Sequence, residues 1–304
     1  MPNLFTRLLS QRPYLIADGA MATNLFAMGL AINHAPELWN TEHPGKVANL
    51  ARRFIDAGSD IVLTNSFGAN IYRLQHCQAQ TRVAELNMSA ASILKKVVSE
   101  YQHDIIIAGS IGPTGETMLP AGKLSYDDAY NAFKQQAQAL QLGGVDVFWI
   151  ETMADINETH AAYEAAISTG LPAIYTMSFD TDGLSRTGTS ANALVKLNEQ
   201  LSIASDACGI NCGHSPSATI TSLTSIKKAL SVSNNPALIA KTNAGIPRSI
   251  NSELVYDMSA HTMANYATLA LDAGAKIIGG CCGTTPEHIA AMKAALSAHV
   301  KKTS

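Results

Sequence analysis

Short apolar runs alternate with longer amphipathic ones along this chain. The apolar runs cover residues 14–17, 60–64, 104–108, 145–150, 172–178, 207–212, 237–241 and 275–278. Each has strand length and is almost continuously apolar, as a parallel strand covered on both faces must be. Between them lie segments of helical character: 45–57, 82–101, one opening at Ser125, one from Asp155, then 191–203, 217–230, 260–273 and a last one opened by Pro286. Asp127 and Asp128 fall in the first turn after Ser125, where the helix dipole favours negative charge. Gly58 stands where the first of these helices must stop. A polar, proline-containing connection runs through His34 to Pro44, and a longer polar insertion precedes 260–273.

Eight strand-like runs, each followed by a helix, predict an α/β fold of the (β/α)8 TIM-barrel type, with residues 1–304 as one domain. Similar sequences recur where helices hand over to strands: Asp-Ala-Gly-Ser-Asp, Leu-Gly-Gly-Val-Asp, Ser-Thr-Gly-Leu-Pro and Asp-Ala-Gly-Ala-Lys. The glycine in each does the same helix-stopping job. A doubly wound open sheet is the rival fold, but it usually has fewer strands.

Composition narrows the function classes. The 304 residues are 47% hydrophobic and 15% charged, with a formal net charge of -3. That balance suits a soluble globular protein and gives no basic surface for nucleic acid or an anionic membrane. No run approaches the roughly 18 apolar residues of a membrane helix, and the N-terminus has no signal-peptide pattern. A cytoplasmic location is the expectation. Five cysteines, an odd number in a long chain, argue against a disulfide scaffold and for a reducing compartment.

The unusual residues fall at the C-terminal ends of the runs, where a barrel carries its active site. Cys281 and Cys282 follow the eighth run among glycines, and Cys212 ends the sixth in Gly209-Ile-Asn-Cys-Gly213. A vicinal disulfide strains its peptide, so two such thiols suit one soft metal better, with Cys212 as the third ligand. Three thiolates around Zn²⁺ leave one position open, which is the pattern of a catalytic site that activates a substrate thiol. Asp18 and Glu151, ending the first and fourth runs, can clamp an ammonium group. The peptide N–H groups of Gly19 and Ala20 can hold a carboxylate. A thiol, an ammonium and a carboxylate together describe an amino acid such as homocysteine or cysteine. Trp39, in the first loop, offers a cation–π face to an onium methyl donor. Cys77 and Cys208 read as core or helix cysteines; His34, His214, His261 and His288 read as surface or capping residues. The loop Gly-Ser-Ile-Gly-Pro-Thr-Gly115 resembles a phosphate loop only loosely.

Taken in order, Asp18-Gly-Ala-Met-Ala-Thr23, Thr64-Asn-Ser-Phe67, Gly109-Ser-Ile-Gly-Pro113, Gly209-Ile-Asn-Cys212 and Gly279-Gly-Cys-Cys-Gly-Thr284 resemble the homocysteine S-methyltransferases. The resemblance implies zinc held by Cys212, Cys281 and Cys282, homocysteine as methyl acceptor and methionine as product. It implies Asp18 and Glu151 on the substrate amino group and the Gly19 backbone on its carboxylate. The segments around Trp39, 176–183 and 241–247 look most like short bacterial betaine–homocysteine methyltransferases. The length matches the barrel without the further modules of cobalamin-dependent methionine synthase, so a small onium donor, first glycine betaine, is expected. Animal betaine enzymes carry tyrosines where this chain has Gly68 and Thr152. S-methylmethionine as donor, a corrinoid partner, or a non-catalytic thiol amino acid binding protein are the alternatives. Partners are small molecules, with homo-oligomerisation compatible.

Overall fold

The computed structural model describes residues 3–180, 183–213, 215–230, 235–250 and 253–303. Eight parallel strands form one sheet: β1 (Leu15–Ile16), β2 (Ile61–Leu63), β3 (Ile106–Ile111), β4 (Val147–Met153), β5 (Ala173–Met177), β6 (Ala207–Cys212), β7 (Ala237–Thr242) and, after a hairpin of β8 (Arg248–Ile250) and β9 (Glu253–Val255), β10 (Ala275–Gly280). The strand order is β1-β10-β7-β6-β5-β4-β3-β2. The seam between β1 and β2 is closed by a parallel bridge from Ala17 to Ile61 and by the Asp18 N–H donating to the Ile61 carbonyl at 3.0 Å. This is the (β/α)8 barrel that the periodicity predicts.

The expected helices are present with shifted ends. The first is Pro44–Asp56, and Ser125 caps Tyr126–Gly143 by accepting the Asp128 N–H. Asp155 likewise caps Ile156–Ile167. Strands β3 and β4 run further than their apolar stretches suggest, so Glu151 lies within β4. The longer polar insertion holds the hairpin. Among the helices that the pattern of apolar runs leaves out is Leu4–Gln11. Its Phe5, Leu8 and Leu9 join the barrel-interior cluster with Leu15, Ile61 and Ile106, and Thr6 and Arg7 reach Asp206 and Asp104, which precede β6 and β3. It therefore plugs the N-terminal end. The other end is closed from below by Trp149, fully buried, whose indole N–H donates to Thr176 Oγ1 at 3.0 Å. Chemistry is left to the C-terminal rim. Among the described residues no helix is long and apolar enough to cross a membrane.

Candidate active site

At that rim the sulfurs of Cys212, Cys281 and Cys282 lie within 4.8 Å of one another. Local backbone explains how β6 and β10 deliver them. Cys212 has φ of 65°, the left-handed region that a side chain other than glycine occupies only under constraint. Asn243, at the end of β7, supplies that constraint: its amide donates to the Gly213 carbonyl at 2.7 Å and its oxygen accepts the Cys282 N–H at 2.9 Å. One side chain thus ties both cysteine turns together. Asn211 adds a second tie. Its oxygen accepts the Thr152 N–H at 2.6 Å, holding a residue with φ of 59°, and its amide reaches Cys281 Sγ at 3.7 Å.

Three thiols this close do not titrate independently. Hydrogen bonds from Cys281 and Cys282 pull Cys212 down to about 3. That first thiolate in turn holds Cys281 up at about 12 and Cys282 well above the ordinary thiol range. A single cation removes the conflict, because all three sulfurs can then be anionic. Soft donors at this mutual distance fit Zn²⁺ or a similar thiophilic ion. Tyr256, just after the hairpin, is in hydrogen-bonding contact with Cys282; burial first, and then that sulfur, push its phenol up. Nothing in the sequence marked it, because the polar insertion looks like surface.

The cysteines open onto a cavity of about 470 Å³, also lined by Gly19, Glu37, Arg73, Glu151 and Lys241, a size usual for small-molecule sites. Glu151 is 8% exposed and accepts the Ser110 hydroxyl. Burial raises its carboxyl, against the pull of Lys241. Asp18 is placed differently from expectation. It is 2% exposed, is not among the lining residues, and accepts the Leu63 N–H through Oδ2 at 2.8 Å. Burial lifts its carboxyl to about 6 although the Lys241 ammonium is 3.5 Å from Oδ1.

Gly19 does line the cavity, and only glycine fits there: a Cβ would stand 2.6 Å from the Thr284 carbonyl oxygen. The Ala20 N–H is not free for a substrate carboxylate, because it donates to that same carbonyl at 3.2 Å. Trp39, expected to offer its face to a methyl donor, packs in the core. It is 4% exposed, absent from the cavity wall, and one ring face carries the Lys46 ammonium at 4.4 Å. The 3-10 turn Pro36–Leu38 rotates the loop so that Glu37 faces the cavity while Trp39 turns into the core. Glu37 Oε1 accepts the Gly68 N–H at 2.6 Å.

The remaining candidates are scattered. Cys208 is buried in β6, its thiol pushed up to about 12 by burial. Cys77 and His34 lie on the outer cavity wall, with His34 paired to Glu42. His288 accepts the Thr285 N–H, a capping role, and His261 neighbours Asn265 on the surface; His214 lies outside the described residues. In the glycine-rich loop, Glu158 takes both the N–H and the hydroxyl of Thr114, so a carboxylate already sits where a phosphate would.

Three thiols gathered at a barrel rim beside a charged, substrate-sized cavity make a candidate site for a thiophilic metal and a small molecule. The comparison with known proteins is more specific. The model of the homocysteine S-methyltransferases matches residues 15–296, and the chain belongs to that family. Methionine synthase of Mycobacterium leprae (strain TN) is 28% identical over 308 residues, covering 95% of this chain and 25% of that protein. Methionine synthase of Mycobacterium tuberculosis (strain ATCC 25618 / H37Rv) is 28% identical over 313 residues, covering 97% and 25%. The chain thus spans about a quarter of these relatives' length. Among solved structures, the oxidized form of the homocysteine methyltransferase MmuM from Escherichia coli superposes with a TM-score of 0.77 and 25% identity, covering 96% of this chain and 99% of that one. Its metallated form gives 0.77 and 24%, with the same coverage.

Proposed function

We propose that this chain transfers a methyl group from a small onium donor, first glycine betaine, to the sulfur of L-homocysteine, giving L-methionine, with zinc held by Cys212, Cys281 and Cys282. The observation that carries the reading is three sulfurs within 4.8 Å of one another at the wall of an amino-acid-sized cavity, in a chain of this family. Zinc, when bound there, supplies the positive charge that keeps the acceptor sulfur deprotonated at neutral pH.

The chain's own residues do the positioning. Glu151 offers a carboxylate to the acceptor's ammonium. Gly19 lets the acceptor approach the backbone. Leu63, Phe67 and Met21 line the cavity and keep water from the reacting carbon. The acceptor sulfur attacks the donor methyl in line; the new S–C bond forms as the C–N bond breaks, and the electron pair leaves with the amine as dimethylglycine. Glu37 and Arg73 face the outer part of the same cavity, a carboxylate and a guanidinium suited to a donor that carries both an onium and a carboxylate. Cytoplasmic operation is in keeping with three thiols that must stay reduced.

A second reading has its own support. The methionine synthase relatives are about four times longer than the matched segment, so the methyl group can instead be delivered by another module or a corrinoid partner. One experiment separates the two: zinc-loaded chain, homocysteine, and betaine, S-methylmethionine or methylcobalamin in turn, with methionine measured by mass spectrometry. Methionine from betaine alone is the expected result. Methionine from S-methylmethionine only, or from methylcobalamin only, would replace the donor and leave the acceptor. No methionine from any donor would favour a binding protein. Cys212→Ala and Cys281→Ala should each lose both the metal and the activity, and chelation should do the same to the wild type.

A further inference from the structure

The cavity floor holds a charge that neither the periodicity nor the proposed chemistry uses. Lys241 lies on β7, in register with Asn211 of β6 and Gly279 of β10. The residue is only 2% exposed, yet it lines the cavity. Its side chain crosses the Trp149 ring, with Nζ 4.9 Å from the ring centre, and Nζ stands 3.5 Å from Asp18 Oδ1. At that distance the contact is an ion pair with little hydrogen-bond character, and Asp18 Oδ1 has no hydrogen-bond partner. An ammonium has three donors to place. Among the described residues no hydrogen bond from Nζ shorter than this contact is formed.

Burying a lone ammonium costs several kcal/mol unless it is paired. Burial does push Lys241 down, but the opposing charges around it, led by the Asp18 and Glu151 carboxylates, outweigh it and the ammonium is held more firmly than usual. It therefore faces the cavity as a fixed cation. Asp18 stands behind it, out of the cavity; Glu151 stands beside it, in the cavity wall. The floor thus presents one cation and one anion side by side. An α-amino acid presents the complement on adjacent atoms, a carboxylate and an ammonium on one carbon. Of the two backbone donors expected for the carboxylate, the Ala20 N–H is already used, which leaves the Gly19 N–H at the cavity wall to act beside the lysine.

We propose that Lys241 is a substrate-positioning residue that binds the α-carboxylate of the amino acid acceptor, with Glu151 taking its α-ammonium and Asp18 anchoring the lysine. This rests on reading the cavity as the acceptor site of a homocysteine methyltransferase. It makes the site selective for zwitterionic thiols over thiols that carry an amine alone.

The test measures binding rather than turnover, so that it stands apart from the donor question. Calorimetry on chelator-treated protein compares L-methionine with 3-(methylsulfanyl)propan-1-amine, which lacks the carboxylate. On zinc-loaded protein it compares L-homocysteine with 3-aminopropane-1-thiol. The wild type should prefer the amino acid in both pairs by at least about tenfold, the value of one charge-assisted contact. The double variant Asp18→Asn/Lys241→Met, which removes the buried pair together and so avoids an unpaired charge, should lose that preference while keeping its affinity for the amines. Glu151→Gln should weaken all four ligands, because all four carry the ammonium. Equal loss for amino acid and amine in the double variant would reduce Lys241 to a counter-ion and overturn the assignment. A wild type without preference would overturn it with no variant needed. Methionine formation, measured separately, reports on the methyltransferase reading, which can fail or stand independently of these ratios.

Discussion

Asp18→Asn isolates an electrostatic cost built into the acceptor side of the barrel. Burial holds the Asp18 carboxyl at about 6 rather than 3.8, despite the opposing pull of Lys241 and the Leu63 N–H. A rise of that size corresponds to roughly 3 kcal/mol. The folded carboxyl binds its proton more tightly than the unfolded one, which fixes the sign. Below about pH 3.8 both states are protonated and the full stability is present. As pH climbs through the folded value, the native state must carry a buried charge, and stability is lost. This is opposite to a salt-bridged carboxylate at a surface. Asparagine keeps the shape and can still accept the Leu63 N–H, but it has nothing to titrate. The stability difference, wild type minus Asp18→Asn, should therefore fall by about 3 kcal/mol between about pH 4 and pH 7. Urea unfolding of both chelator-treated proteins across that range measures it. Lys241 stays charged throughout, so its loss of a partner shifts the difference by a constant without tilting it. A difference that is flat, or that rises with pH, would refute the account of Asp18 as a carboxyl destabilised by burial.

Three further outcomes follow from packing. Gly19→Ala places a Cβ 2.6 Å from the Thr284 carbonyl and 2.8 Å from the Phe54 ring; overpacking of this kind costs about 1–3 kcal/mol, and because Thr284 closes the cysteine turn, zinc affinity should drop together with Tm. Asn211→Leu leaves the Thr152 N–H without its acceptor, a loss of about 1–3 kcal/mol visible in urea unfolding, with weaker metal binding in a competitive chelator titration. Trp39→Phe should lower stability by about 1 kcal/mol or more through lost core contacts yet leave the KM for the methyl donor unchanged; a selective rise in that KM would return Trp39 to the donor site.

Much of this protein is local enough to be read from the chain. Strand and helix identity follow from periodicity, because burial on both faces forces the barrel strands to be apolar over their whole length. The placement of Cys212, Cys281 and Cys282 follows from the same logic: once the strands are counted, their ends must share a rim, and glycine on either side leaves the thiols room to turn inward. Glu151 was legible for the same reason. Other features depend on contacts between distant segments. Trp39 and Glu37 lie two residues apart in a loop, and only the 3-10 turn decides that the carboxylate faces the cavity and the indole the core. Asp18 ends its strand as expected, but its carboxylate is turned away from the cavity by the Leu63 N–H of the neighbouring strand. Lys241 looks, in sequence, like a lysine emerging into water at the end of an apolar run. Its burial is decided by Asp18, Glu151 and Trp149, contributed by the first and fourth barrel units, because a charge can stay in a barrel interior only where residues from elsewhere compensate it. The chain alone determined the barrel and its cysteine rim; the tertiary structure decided which charges meet the substrate.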